Sequence, residues 1–189
     1  MPDPRQNGKF SDERFRPARD LLARVPAGNP GRIYDLGCGA GNTTRLLKER
    51  WPRARITGVD SSPEMLAEAM AGDGMKGRFP LEYLKGDIAT WVPEDPADVF
   101  FSSGALQRVA DQRTLFLRLI RSLMQNGILA VDMPCFASSP SAALPAPDFY
   151  RDLLAADARK LDVWEADYST VSPESHASAL KHLFIVAVR

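Results

Sequence analysis

The chain carries no excess of charge of either sign: Lys and Arg together number 24, Asp and Glu number 24, and the net charge is zero. A nucleic-acid surface announces itself as a basic excess, so the composition speaks against such a partner. Cysteine is scarce, with Cys38 and Cys135 the only two. Neither has the spacing of a metal ligand, and one pair does not make a disulfide framework. Both read as free thiols in a reducing, cytoplasmic setting. Histidine is equally scarce, with His176 and His182 alone. No Ser-His-Asp or Cys-His arrangement of nucleophile and base stands out. No apolar run approaches the roughly 20 residues of a membrane span. The opening stretch, Met1 to Asp12, is polar and has no apolar core of the kind a secretory leader carries.

What is present is an ordinary mixture: 189 residues, 44% hydrophobic and 25% charged. That favours one domain over residues 1–189, with 1–12 as a mobile leading segment. The most informative stretch runs from Ile33 to Thr44. It reads as a short apolar strand closed by Asp35, a turn with Gly37, Gly39 and Gly41 in a G-x-G-x-G pattern, and the start of a helix. Glycines let the backbone turn sharply and approach a ligand closely, and a helix N-terminus directs free N–H groups at it. A tight strand-to-helix turn without a ligand is the alternative reading of this motif alone.

Around it, strands and helices alternate. Ser11 is placed to cap a helix bearing Phe15, Ala18, Leu21, Leu22 and Val25 on one face. Asn42, Thr43 or Thr44 is placed to cap a helix running to about Arg50. Ala54 to Val59 forms a second strand ending on Asp60, and Ser61 or Ser62 caps the next helix, with Pro63 in its first turn. Met65, Leu66, Ala69 and Met70 mark the buried face of that helix. Leu81–Leu84, Ala97–Phe101 and Ile128–Met133 read as further strands. A helix from about Asp111 to Met124 precedes the third of these, and Asn126-Gly127 is its stop. Asp148 caps a short helix to about Ala158, and Leu161, Val163 and Ala166 face one way on the strand that follows. The final strand is His182 to Val188. Too little chain joins the last two strands for a parallel crossover, so they form an antiparallel pair. The expected fold is α/β: a doubly wound, mostly parallel sheet of seven strands with an antiparallel C-terminal hairpin.

In such a sheet the ligand sits at the carboxyl ends of the strands, beside the switch point at the first strand. Asp60 ends the second strand, where an acid can accept both hydroxyls of a ribose. Asp87 follows the third strand and can accept from an adenine amino group. Ser102 and Ser103 end the fourth strand and are expected to face the same cleft. An acid favouring a helix N-terminus and a turn aspartate are the structural alternatives for Asp60 and Asp87.

The stretches Asp35 to Thr44, Gly58 to Met65 and Gly86-Asp87-Ile88 resemble the successive motifs of class I S-adenosylmethionine-dependent methyltransferases. The resemblance implies a Rossmann-like fold and S-adenosylmethionine as cofactor. It implies cofactor-binding roles for Asp35, Gly37, Gly39, Gly41, Asp60, Ser61, Met65, Asp87, Ile88 and Ser103. Within that class, Phe10 to Pro26, Arg55 to Pro63, Ala105-Leu106-Gln107, Leu129 to Pro134 and Leu183 to Arg189 are similar to the trans-aconitate 2-methyltransferases. That implies a small acidic acceptor methylated on a carboxylate.

The chain departs from that family's pattern in three places. Arg108 stands where a tryptophan is usual, Gln6-Asn7-Gly8 replaces a region that usually holds a tyrosine, and only about Ser169 to Lys181 replaces a long helical insert over the acceptor pocket. A remodelled acceptor site for a natural-product intermediate, or cofactor binding without methyl transfer, is the alternative. A shortened roof also makes a homodimer plausible as cover for the cleft. A carboxylate acceptor wants an arginine fork, for which Arg14, Arg16 and Arg108 are candidates. His176 is the candidate general base should the acceptor be a hydroxyl or amine, and His182 reads as structural. Arg108 and His176 are therefore the expected catalytic residues, with no metal.

Overall fold

The computed structural model describes residues 15–72, 79–135, 144–168 and 181–189. Its centre is a run of apolar strands buried on both faces, as parallel strands flanked by helices must be. They are β1 (Arg32–Leu36), β2 (Arg55–Asp60), β4 (Ala97–Ser103) and β5 (Leu123–Cys135), with β3 (Glu82–Lys85) at one edge. At the other edge, β7 (Lys181–Val188) pairs antiparallel with both β5 and β6 (Lys160–Asp167). The strand order is β3-β2-β1-β4-β5-β7-β6. The expected seven-stranded sheet with its antiparallel pair is therefore present, and direction of winding reverses between β1 and β4.

Each face has its own core. On one side α1 (Arg16–Arg24) and α2 (Asn42–Arg50) pack Leu21, Leu22 and Leu47 against Ile33, Ile56, Phe101, Ala130 and Phe184. On the other, α4 (Gln112–Arg121) and α5 (Pro147–Leu154) pack Leu115, Phe116, Tyr150 and Leu154 against Phe100, Val131 and Ile185. Alternate residues of each strand feed opposite faces. Ala166 accordingly sides with Trp164 and Tyr168 against the α1 core, while Val163 joins the α4 core. The expectation that Val163 and Ala166 share a face is corrected by their odd separation.

Local details depart from the sequence reading where backbone geometry overrides side-chain type. α1 starts at Arg16 with Phe15 before it and Pro17 in its first turn, and Ser11 lies outside the described residues. α2 is not capped by Asn42, Thr43 or Thr44: Gly41 precedes it with φ of 79° and no side-chain cap. In α3 (Pro63–Gly72) Ser62 Oγ does cap, accepting from the Met65 N–H at 3.2 Å. Leu66 and Ala69 are buried there, whereas Met65 and Met70 are 44% and 53% exposed. A two-residue stripe suffices because the helix lies at the thin edge of the sheet over short β2 and β3. α4 ends at Arg121 and β5 begins at Leu123. Asn126-Gly127 is therefore an irregularity inside a strand and not a helix stop. Asn126 has φ of 67°, and the β4–β5 register shifts between Ala97 and Val99. α5 is preceded by Ala146, and Asp148 pairs with Arg151 at 2.6 Å instead of capping.

α1 is closed from outside. Arg50, at the end of α2, donates to the Leu22 carbonyl and, at 2.8 Å, to the Val25 carbonyl. The Leu22 carbonyl also takes the Val25 N–H, so Arg50 adds a side-chain donor to the backbone bond that ends the helix. No described helix is long and apolar enough to cross a membrane.

Hydrogen bonds from a charged donor contribute about 1.5–3 kcal/mol. Arg50→Ala should lower unfolding free energy by about that amount, read as a lower urea midpoint at unchanged slope.

Candidate functional site

The loop between β1 and α2 stands over the carboxyl end of β2 because β2 supplies acceptors for it. The Val59 carbonyl receives the N–H groups of Gly37 (2.8 Å) and Cys38 (3.2 Å). The Asp60 carboxylate receives the Gly39 N–H through Oδ2 (2.8 Å) and the Ser62 N–H through Oδ1 (2.9 Å). Gly37, Gly39 and Gly41 all have positive φ, at 73°, 51° and 79°. At Gly37 there is a second constraint: a Cβ would lie 2.2 Å from that of Ala105. At Gly41 it would meet the Tyr83 hydroxyl at 2.5 Å. At Gly39 it would meet nothing within 4 Å. That glycine faces open space.

The open space is a cavity of about 710 Å³ along the carboxyl ends of β1 to β4. Gly37 and Gly39 line it at one end; Asp60, Ser61, Ser62 and Met65 form one wall, and Gly86 to Ala89 the far end. Gly104, Ala105 and the segment Arg108 to Ala110 close the side toward β4. Eight of the sequence-derived candidates thus meet in one space: Gly37, Gly39, Asp60, Ser61, Met65, Asp87, Ile88 and Arg108. The exposure of Met65, which the helix pattern did not foresee, is exposure to this cavity.

Three candidates stand behind the wall. Gly41 faces Tyr83. Asp35 is 1% exposed, and its Oδ2 accepts from the Thr44 hydroxyl at 2.7 Å. Burial, aided by the charge of Asp60 and opposed by the Thr44 bond, pushes its carboxyl up to about 7. Ser103 does not face the cavity. Its Oγ donates to Asp132 Oδ2 at 2.8 Å, on the α1 face of the sheet. Ser102 is fully buried and donates to the Leu36 carbonyl. His176 lies outside the described residues, as does Arg14. Cys38 is buried beside the site, and burial with the nearby Asp35 and Asp60 pushes its thiol up. It is no nucleophile.

Sequence reasoning missed two supports. Asp87 turns the chain after β3, with its Oδ1 accepting from the Ala89 N–H at 2.9 Å. The loop it begins is gripped from α4 by Arg118, whose guanidinium donates to the carbonyls of Ala89 (2.5 Å) and Ile88 (2.6 Å). Arg118 reads as an ordinary helix-surface arginine, so nothing in the pattern marks it. The second is the pair of contacts that Asp132 makes, to Ser103 and to His182 Nδ1 (2.6 Å). An isolated acid near the end of an apolar strand was the only signal there.

The donor set suits a nucleoside carrying an amino-acid tail. Asp60 retains free lone pairs on both oxygens for hydroxyls, Asp87 lies where an amino group can be taken, and Met65 and Ile88 offer apolar surface. The open space beside Gly39 leaves room for such a tail, and a buried carboxyl at Asp35 favours a ligand that brings a cation toward it. The volume falls in the range of small-molecule sites.

Comparison with known proteins gives the family and the fold. A family model described as a methyltransferase domain matches residues 33–127. The trans-aconitate 2-methyltransferase of an Azoarcus species is 41% identical, over 93% of this chain and 76% of that protein. Its counterpart from Afipia carboxidovorans is 39% identical, over 85% and 70%. Among solved structures, an S-adenosylmethionine-dependent methyltransferase from Mesorhizobium loti superposes with a TM-score of 0.71 at 21% identity, covering 90% of this chain and 96% of that one.

The native state holds the Asp35 proton to a higher pH than the unfolded chain does, so stability falls as pH rises from about 4 through 7. Asp35→Asn cannot ionise and should lack this slope. Urea midpoints for both proteins at pH 5 and pH 8 should show the wild type losing on the order of 3 kcal/mol relative to the variant. Releasing the grip on Ile88 and Ala89 by Arg118→Ala should weaken S-adenosylhomocysteine binding about tenfold by calorimetry, with a smaller effect on methionine alone.

Proposed function

Because the chain belongs to the trans-aconitate 2-methyltransferase family of S-adenosylmethionine-dependent methyltransferases, we propose that it methylates one carboxylate of a small polycarboxylic acid such as trans-aconitate. The observation that favours an acid is Arg108, an exposed guanidinium in the cavity wall beside Gly104 and Ala105. An arginine presents the planar fork that a carboxylate matches.

The cofactor, when bound, supplies a methyl group made electrophilic by its sulfonium. An acceptor carboxylate is ionised at neutral pH. With the donor bound, a C–O bond would form as the C–S bond broke, the electron pair of the latter staying on sulfur. No proton moves, so no general base is required. The residues contribute alignment and exclusion of water. In this reading Gly37 and Gly39 let the backbone lie against the amino-acid tail, with Asp35 and Gly41 supporting the turn from behind. Asp60 takes the ribose hydroxyls and Ser61 borders them. Met65 and Ile88 flank the adenine, Asp87 accepts its amino group, and Arg108 holds the acceptor.

The test is transfer of tritium from labelled S-adenosylmethionine to a panel of di- and tricarboxylic acids. The product should be a base-labile ester, and Arg108→Ala should raise the acceptor KM at least tenfold while thermal stabilisation by S-adenosylhomocysteine persists. Stabilisation without turnover of any acid would overturn the acceptor class.

A further inference from the structure

Three neighbouring positions near the carboxyl rim on the α1 face of the sheet are polar, where the next position of each strand on that face, away from the rim, is apolar. Phe101 gives way to Ser103 on β4 and Ala130 to Asp132 on β5; on β7, His182 precedes Phe184. Ser103 is in register with Asp132, and His182 is its diagonal neighbour across β7. Asp132 is 1% exposed, and both carboxylate oxygens are used: Oδ2 accepts from Ser103 Oγ at 2.8 Å and Oδ1 meets His182 Nδ1 at 2.6 Å. Its backbone carbonyl accepts the N–H of Gly104, at 2.9 Å, and Gly104 lines the cavity. The imidazole is therefore wired to the cavity wall through one residue.

A buried carboxylate costs several kcal/mol of desolvation, and an apolar residue at the same place is often as stable or more so. A fixed histidine is a common use of such an arrangement. With Nδ1 donating to the carboxylate, Nε2 is the ring's working nitrogen. The His182 side chain keeps 13% of its surface exposed, whereas Asp132 keeps 2%. Phe184 of β7 stacks on the ring at 6.1 Å and Pro134 of β5 is its register partner; other groups come from α1 and the end of β6. Tyr168 packs edge-on at 5.0 Å; its hydroxyl donates to Asp20, and Arg16 lies over its ring at 5.8 Å. Among the described residues that line the cavity, Asp60 and Asp87 are acids and Arg108 is the cation. Arg108 is thus the one cationic side chain among those described lining residues, and a second carboxylate calls for a donor of its own.

We propose that His182 is the acceptor-recognition residue contributed by the α1 side of the cleft, its Nε2 receiving a second carboxylate of the acid. Asp132 is the positioning residue that fixes the ring. This rests on the acid-methylating reading above. Arg108 and His182 then approach the acceptor from opposite faces of the sheet, and spacing between carboxylates becomes the quantity the site measures.

The experiment compares wild type, His182→Gln and Asp132→Asn with trans-aconitate. It also follows the histidine ring carbon resonances of the S-adenosylhomocysteine complex as the acid is added. The chain has two histidines, so the signal missing in His182→Gln is assigned at once. Expected are a tenfold or larger rise in acceptor KM for both variants, with kcat and S-adenosylhomocysteine affinity within about twofold. The His182 signal should shift in the wild type as the anion binds. If the wild type methylates the acid but neither KM nor that signal responds, the recognition role falls and the acid reading stands. If the variants lose melting temperature and cofactor affinity together while acceptor KM holds, the trio is a structural link and the proposal is wrong. If the wild type turns over no carboxylic acid, both readings fall.

Discussion

The site depends on what the end of β2 offers to the loop after β1. A loop that leaves a buried parallel strand must satisfy its N–H groups without a neighbouring strand to do so. Here the Val59 carbonyl and the Asp60 carboxylate accept those of Gly37, Cys38 and Gly39. In taking them, the two acceptors draw the loop over β2 and force the positive φ angles that only glycine adopts without strain. The shape of the cavity follows. Its floor is backbone, its near wall is the acid that holds the loop, and α3 starts from the same carboxylate through Ser62. Asp60 thus holds the loop and faces the cavity at once.

Much of this was legible beforehand because glycine and aspartate carry positional meaning. A glycine at Gly37, Gly39 and Gly41 and an acid after each of two strands specify where the chain turns and which edge holds a ligand. The strand count and the antiparallel ending were legible for a similar reason: apolar runs of strand length mark themselves, and a short connection admits one direction only. The family followed from those motifs as a set, and relatives about 40% identical carry the same assignment.

What was not legible involves contacts between distant residues. Ser103 looked cleft-facing because it ends β4, yet strand alternation turns it to the α1 face toward Asp132. Met65 looked like core by helical spacing, but α3 lies over too little sheet to bury a full stripe. Thr44 looked like a helix cap; its hydroxyl instead serves Asp35. The grip of Arg118 on the loop after Asp87 joins residues about 30 positions apart and leaves no local trace.

The reversal of β7 has a consequence for how such a protein diversifies. Because β7 runs antiparallel to β5 and β6, it begins at the rim where β5 and β6 end. The chain leaving β5 and the chain joining β6 to β7 therefore both emerge on the edge of the sheet that carries the cavity. Either can lengthen, shorten or change composition without disturbing a strand register or the glycine turn. The glycine turn and these two connections lie on separate stretches of sequence, free to change at different rates on one scaffold.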